Sequence, residues 1–222
     1  MKNYIYTVVA GDKYQTSEPI VIPSNDWKLI CFTNNKDKPE SNGWKVIYKE
    51  NKVRFANTTW SRYPKIYPYD FFTKGWDVLV YIDSRMQINV DIDKLVKHFL
   101  GTKYDIAVMK HNRRICAYDE ANYLIEKDIG NPIIIQGQMA KYLARGLPKD
   151  YGLYAPGIML RKNTPFVREL MKEWWGEVLL GSYRDQISLP YVIWRMSKNY
   201  NIYEHMNLMP FDIIKKYFRK GN

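Results

Sequence analysis

The sequence predicts an α/β protein with a mainly parallel central sheet flanked by helices. Two observations carry that expectation. Short runs rich in β-branched and aromatic residues alternate with segments of helical period, and Gly, Pro, Asn or Asp punctuates nearly every boundary between them. Such alternation builds β-α-β units, whose crossovers put helices on both faces of parallel strands.

The elements follow in order. "YIYTVVAG" (4–11), "WKLICFT" (27–33) and "WKVIYKE" (44–50) read as three strands. From Asn57 to Phe72 the chain is aromatic and basic, and Pro64 and Pro68 are expected to limit any helix there to short pieces. "DVLVYID" (77–83) is a fourth strand, the most apolar in the chain. "DIDKLVKHFL" (91–100) sets Leu95, Val96, Phe99 and Leu100 on one face behind an acid-rich start, and Gly101 closes it, so it reads as a helix. "DIAVMKH" (105–111) is a fifth strand. "AYDEANYLIEKD" and "PIIIQGQMAKYLARG" read as helices, and "LYAPGIMLRKN" as a strand with a Pro-Gly break. "TPFVRELMKEWWGEVLLG" has Thr164 as its cap and Pro165 in its first turn, and "RDQISLPYVIWRMSKN" is helical despite Pro190. A short strand, "IYEHMNL", precedes a basic amphipathic tail, "FDIIKKYFRKGN", in which Phe211, Ile214, Tyr217 and Phe218 share a helical face.

Composition narrows the class. A chain of 222 residues with 46% hydrophobic and 15% aromatic residues buries a sizeable core, as one domain, and is not disordered. No apolar run approaches the roughly 20 residues that span a bilayer, and the N-terminus reads as neither signal peptide nor anchor. Cys31 and Cys116 lie in apolar contexts that suit reduced buried thiols, so a cytoplasmic address is expected. The excess of 34 Lys+Arg over 23 Asp+Glu, a net +11, favours anionic ligands. No nucleic-acid motif accompanies it, and no nucleic-acid partner is expected.

In open α/β sheets ligands bind beyond the carboxyl ends of the strands. The polar residues at those ends are Gly11 and Asp12, Thr33 and Asn34, Asp83, Ser84 and Arg85, and His111. Gly-Asp and Thr-Asn-Asn are also ordinary turn sequences, and an Asp closing a strand commonly caps the next turn. Their placement on strand ends is what raises them.

The segments "VVAGDKYQTSEP", "ICFTNN", "SRYPKIYPYDFF", "YIDSRMQI", "KHNRRICAYDEA", "YGLYAPGIMLRKN" and "EWWGEVLLGSYRDQISL" resemble, in order and spacing, a glycosyltransferase-like family of the TOD1/MUCI70 type. The combination of His111, Arg114, Cys116, Tyr118 and Glu120 with Trp174, Trp175, Arg184, Asp185 and Gln186 is the distinctive part, and the likeness runs from about Tyr4 to Arg195. The resemblance implies a GT-A-like fold in which a Rossmann-type half (1–110) holds a nucleotide sugar. A second half (111–209) admits the acceptor, and the tail (210–222) follows.

In that setting Asp83 stands where a GT-A protein carries the D-x-D cluster that holds Mn²⁺ or Mg²⁺ against the diphosphate. Here the cluster is Asp83-Ser84-Arg85, so the second acid is absent and a cation replaces it. Arg85 either pairs with Asp83 or binds diphosphate itself. His205 is a candidate to complete a metal site with Asp83, or else a half-exposed packing residue. Arg62 and Lys65 are expected to face the donor and neutralise phosphate much as a metal would, or to be a solvated basic loop. Gly11, Thr33, Asn34, Ser84, His111, Arg114 and Gln186 are the further donor-side candidates.

Asp185 is the other catalytic candidate beside Asp83. It deprotonates the acceptor hydroxyl, giving inversion, or holds the donor sugar's hydroxyls, which permits retention. Gly157, Trp175 and Glu120 are the acceptor-side candidates. Glu120 with Arg114 also reads as a structural ion pair, His111 as a cap and Gly157 as a bulge. Trp174 and Trp175 point about 100° apart, so one of them belongs to the core.

The expected activity is glycosyl transfer from a nucleoside diphosphate sugar, UDP-linked, to a glycan, polysaccharide or lipid-linked acceptor. The alternative is a non-catalytic protein that binds nucleotide, glycan or nucleic acid through its basic surface. The tail either meets an anionic membrane peripherally or packs on the domain.

Overall fold

A computed structural model describes residues 2–12, 16, 24, 27–37, 43–89, 92–209 and 218–220. A seven-stranded sheet holds β1 (Asn3–Val9), β2 (Trp27–Thr33), β3 (Lys45–Tyr48), β4 (Val78–Ile82), β6 (Ile106–Lys110), β7 (Tyr154–Lys162) and β8 (Met206–Met209), in the order β3-β2-β1-β4-β7-β6-β8. β1 pairs in parallel with β2 and β4, β2 with β3, and β6 with β8, whereas β7 runs antiparallel to both β4 and β6. Six of these strands therefore end on one rim, and β7 alone is reversed.

Every residue of β4 is buried, as an apolar run at the centre of a covered sheet demands. Its alternation sends Leu79 and Tyr81 into one core and Val78, Val80 and Ile82 into the other. The first core lies under α1 (Asn57–Ile66), α5 (Pro165–Leu180) and α6 (Asp185–Met196). The second is covered by α2 (Asp93–Leu100) through Leu95, Val96 and Phe99. α3 (Ala117–Glu126) and α4 (Pro132–Ala144) pack beside α6. Thr164 caps α5 by accepting from Val167 N at 3.4 Å, and Pro165 takes its first position, as the sequence predicts. Both cysteines are buried, and among the described residues no helix is long and apolar enough to cross a membrane.

Three expectations are corrected. The segment after Asn57 is not broken into short pieces: α1 runs ten residues with Pro64 in its last turn. Pro64 forfeits one helical bond, but the chain's closing carbonyls find other donors. The Tyr6 hydroxyl donates to Pro64 O at 3.1 Å and Lys65 O at 3.0 Å, and Arg161 Nη1 donates to Lys65 O at 3.0 Å. Arg161 is fully buried, and a guanidinium against a helix C-terminus meets the negative end of its dipole.

The segment "IYEHMNL" is not one strand. Ile202–His205 forms the short helix α7, and β8 starts only at Met206. The tail's last part is not helical either, because Phe218–Lys220 forms β9, antiparallel to β5 (Met86–Ile88). A strand edge left open after the Ser84-Arg85 turn supplies the ladder bonds that water would otherwise satisfy. The rest of the proposed amphipathic face, Phe211, Ile214 and Tyr217 with Lys215 and Lys216, lies outside the described residues.

Candidate active site

The strand order reverses between β1 and β4, where the chain has run outward through β2 and β3 and returns on the other side. At such a switch point the loops after adjacent strands diverge and leave a crevice at their carboxyl ends. Asp83 follows β4 there, and Gly11 follows β1 one strand away.

Asp83 belongs to the same alternation as Leu79 and Tyr81, so it turns toward the face covered by α1 and α6. The Tyr81 hydroxyl donates to its Oδ1 at 2.7 Å. Burial and the nearby carboxylate push the Tyr81 phenol well above its ordinary value, so it stays a donor. Arg62 and Lys65 are three apart on α1 and share a helix face. Lys65 Nζ lies 2.6 Å from Asp185 Oδ2 and 3.6 Å from Asp83 Oδ1, and 5.1 Å from the Tyr81 ring centre. Arg62 Nε lies 3.5 Å from Asp185 Oδ1. Asp185 opens α6, and the buried Trp174 fixes it by donating from Nε1 to the Asp185 carbonyl at 3.1 Å. The two carboxylates, remote in sequence, thus converge on one ammonium.

The two acids differ in setting. The Asp83 side chain is 50% exposed and that of Asp185 only 5%, so Asp83 meets solvent at the strand ends and Asp185 is enclosed. Burial alone would raise the Asp185 carboxyl, but Lys65 and Arg62 outweigh it and hold the group below its ordinary value. Burial likewise opposes the charge on Arg62, and Asp185 reverses that effect.

Gly157 is where β7 bulges: Val108 pairs with Met159 but Met109 with Ala155. Its carbonyl accepts from Asp83 N at 2.8 Å, and a Cβ built on it would stand 3.0 Å from Asp83 Oδ2. The residue expected on the acceptor side therefore makes room for the Asp83 carboxylate. Gly157→Ala is expected to displace that carboxylate, lowering kcat/KM by roughly 10²-fold, the penalty of a misplaced reacting group, with little change in Tm. Turnover and melting of the variant check it.

Beside this cluster, Glu120 is buried, bonded to Arg114 Nε and 4.0 Å from Arg184 Nη2. The Arg114 guanidinium stacks 3.9 Å from the centre of Tyr123. His111 Nδ1 accepts from Arg114 N at 3.0 Å and Arg113 N at 3.2 Å, and burial, as the largest cause, holds its pKa below the ordinary value. Glu120 sits between Arg114, in the loop after β6, and Arg184, in the turn that leads to Asp185.

At the ends of β1 and β2, where the donor is expected, Asn34 Oδ1 accepts from Gly11 N at 2.8 Å and its Nδ2 donates to Asn57 Oδ1 at 2.8 Å. Gly11 has φ +65°, and a Cβ there would strike Asn57 Nδ2 at 2.5 Å. Thr33 is buried, and its hydroxyl accepts from Asn35 N at 3.1 Å, closing the turn. Ser84 and Arg85 form the turn after Asp83, with Arg85 exposed, and Gln186 is half-buried in the first turn of α6.

His205 is a correction. Its Nδ1 lies 2.6 Å from Asp105 Oδ2 and its ring stacks 4.1 Å from that of Phe166. Asp105 N donates to the His205 carbonyl, and Lys162 N to Asp105 O, while Lys162 is registered with Val78. His205 is thus level with the start of β4. Asp83 lies five residues further on, roughly 15 Å at the rise of a strand, so the pair cannot share an ion. Trp175 stacks on Tyr63, ring centres 4.9 Å apart at 12°, with Phe55 at its edge, whereas Trp174 is the core member of the pair.

Tyr81, Asn57, Tyr6 and Arg161 hold the candidate residues in place and are not among those the sequence singles out. Tyr81 was legible by alternation from Asp83. The others are joined to it only by long-range contacts.

Asp185 supplies in space the second acid that the Asp83-Ser84-Arg85 cluster lacks in sequence, but the Lys65 ammonium already stands between the two. Among the described residues no three His, Cys, Asp or Glu side chains are grouped to hold an ion. As they stand, these residues do not suit a divalent cation.

The strand order, the reversed β7 and the carboxylate at the switch point define a GT-A-like α/β fold. The chain belongs to the TOD1/MUCI70, glycosyltransferase-like domain family, whose model matches residues 12–217. Among solved structures it is similar to apo WbbM, a bifunctional glycosyltransferase, at 13% identity and a TM-score of 0.50, covering 94% of this chain and 38% of that one. It is also similar to apo mouse xyloside xylosyltransferase 1, at 10% identity and a TM-score of 0.49, covering 93% and 85%. No curated protein matches the sequence.

Proposed function

We propose that this protein transfers a sugar from a nucleoside diphosphate sugar, UDP-linked in our reading, to a glycan or polysaccharide acceptor. The observation that carries this is the meeting of Asp83 and Asp185 on Lys65, beside the switch point where an α/β sheet takes its ligand. Membership of a glycosyltransferase-like family supports it.

In the reaction an acceptor hydroxyl oxygen attacks the anomeric carbon, the carbon–oxygen bond to the diphosphate breaks, and its electron pair goes to the phosphate oxygen. The developing charge needs fixed cations in a shielded site. Arg62, at the cluster's partly exposed edge, and Arg85, on the turn after Asp83, are assigned to it. Gly11, Thr33, Asn34 and Asn57 form the donor's rim. Asp83, the carboxylate open to the crevice, is assigned to the sugar. Asp185 is assigned to hold Arg62 and Lys65, because a carboxylate committed to two cations and held below its ordinary value is a weak proton acceptor.

The test is a panel of nucleotide sugars, scored by melting temperature and by nucleoside diphosphate released without acceptor. One sugar nucleotide is expected to raise the melting temperature and be hydrolysed slowly. Stabilisation by nucleotides with no release from any sugar would instead mark a binding protein.

A further inference from the structure

Lys65 is placed unlike an ordinary surface lysine. Its side chain is only 4% exposed, and its carbonyl accepts from both the Tyr6 hydroxyl and Arg161 Nη1, so backbone and ammonium are each held. The ammonium fills the gap between the carboxylates of β4 and α6, with the Tyr81 ring on a further side. A divalent ion there would need both carboxylates at about 2.0–2.6 Å with further oxygen ligands, and the lysine leaves it no place. Beside Lys65, Arg62 meets the other oxygen of Asp185. The two side chains together bring the two positive charges that one divalent ion would carry.

We propose that Lys65 is a built-in cation that joins the Asp83 and Asp185 carboxylates in place of a divalent metal, so that the site works without added metal. The proposal rests on the transferase reading only for its activity arm. Lys65 is a positioning residue: it fixes the direction of Asp83 and, through Asp185, that of Arg62. Taking the ammonium away leaves two facing carboxylates, which is the arrangement that recruits a hard divalent ion. Removal of Lys65 is therefore expected to create a metal requirement, an outcome that a purely structural lysine does not produce.

The experiment uses the full chain and Mn²⁺ as the probe. Without nucleotide, Mn²⁺ is expected to leave the wild-type melting temperature unchanged. It is expected to raise that of Lys65→Ala by roughly 5–10 °C at a hundredfold excess over its dissociation constant. The double variant Lys65→Ala, Asp185→Asn, with one carboxylate fewer, is expected to lose that shift. Wild-type turnover should be unaffected by a chelator, whereas Lys65→Ala should lose roughly 10²-fold and recover part of it with Mn²⁺. Wild-type turnover that falls with chelator and returns with Mn²⁺, a wild-type melting shift with Mn²⁺ alone, or a folded Lys65→Ala protein indifferent to Mn²⁺ would each overturn the proposal. If Lys65→Ala does not fold, the wild-type arms decide alone. Absence of turnover in every arm counts against the transferase reading, and the melting curves still decide the cation.

Discussion

Asp83→Asn is expected to lower turnover by at least roughly 10²–10³-fold while moving the melting temperature by no more than a few degrees. The backbone bonds at this position, Asp83 N to Gly157 O and Met86 N to Asp83 O, both 2.8 Å, are indifferent to the side chain. The amide oxygen still accepts from the Tyr81 hydroxyl, and the half-exposed site lets water meet the new amide. Lys65 keeps Asp185, its nearer partner, so no buried charge is left alone. What disappears is the negative charge facing the crevice. The competing account, in which Asp83 merely closes the strand and caps its turn, requires the reverse: a measurable loss of stability and unchanged turnover. Steady-state kinetics and a melting curve on one preparation separate the two, and a variant with wild-type turnover removes Asp83 from the chemistry.

The contrast between the acids also shows what the sequence can and cannot carry. Placing Asp83, Gly11, Asn34 and His111 on one rim needed only strand period and the rule that parallel strands share a carboxyl edge, and the structure has them there. The α/β order was legible for the same reason, since alternation and caps such as Thr164 are local signals. Lys65 was readable as a cation near the donor, but not as a bridge, because its distances to Asp83 and Asp185 depend on how α1 and α6 pack over the sheet. Pro64 misled for a related reason. Proline's local penalty is fixed, whereas the donors that close α1, Tyr6 and Arg161, arrive from β1 and β7. His205 misled because a histidine's type says nothing about which edge of the sheet it occupies. Its register beside Asp105 does.

Asp185→Asn is expected to act first on stability. Lys65 and Arg62 both lean on this carboxylate, and Lys65 would keep only the more distant Asp83. Removing one partner of a buried ion pair costs about 3–5 kcal/mol, because the remaining charge is left in a poorly solvated place. For a chain of this size that is a fall of roughly 10 °C or more in melting temperature. A sugar ligand or a general base at this position would instead lose turnover with the fold intact. Acid provides a second reading of the same group. Its carboxyl is held below the ordinary 3.8, so the native state resists protonation more than the unfolded chain does. Its contribution is complete above that value and is lost as pH falls through the window below it. The stability gap between wild type and Asp185→Asn should therefore be constant from neutral pH down to about 4 and narrow below it. An asparagine variant that melts with the wild type at neutral pH would show that Arg62 and Lys65 do not depend on Asp185, and the acid would return to the list of candidate bases.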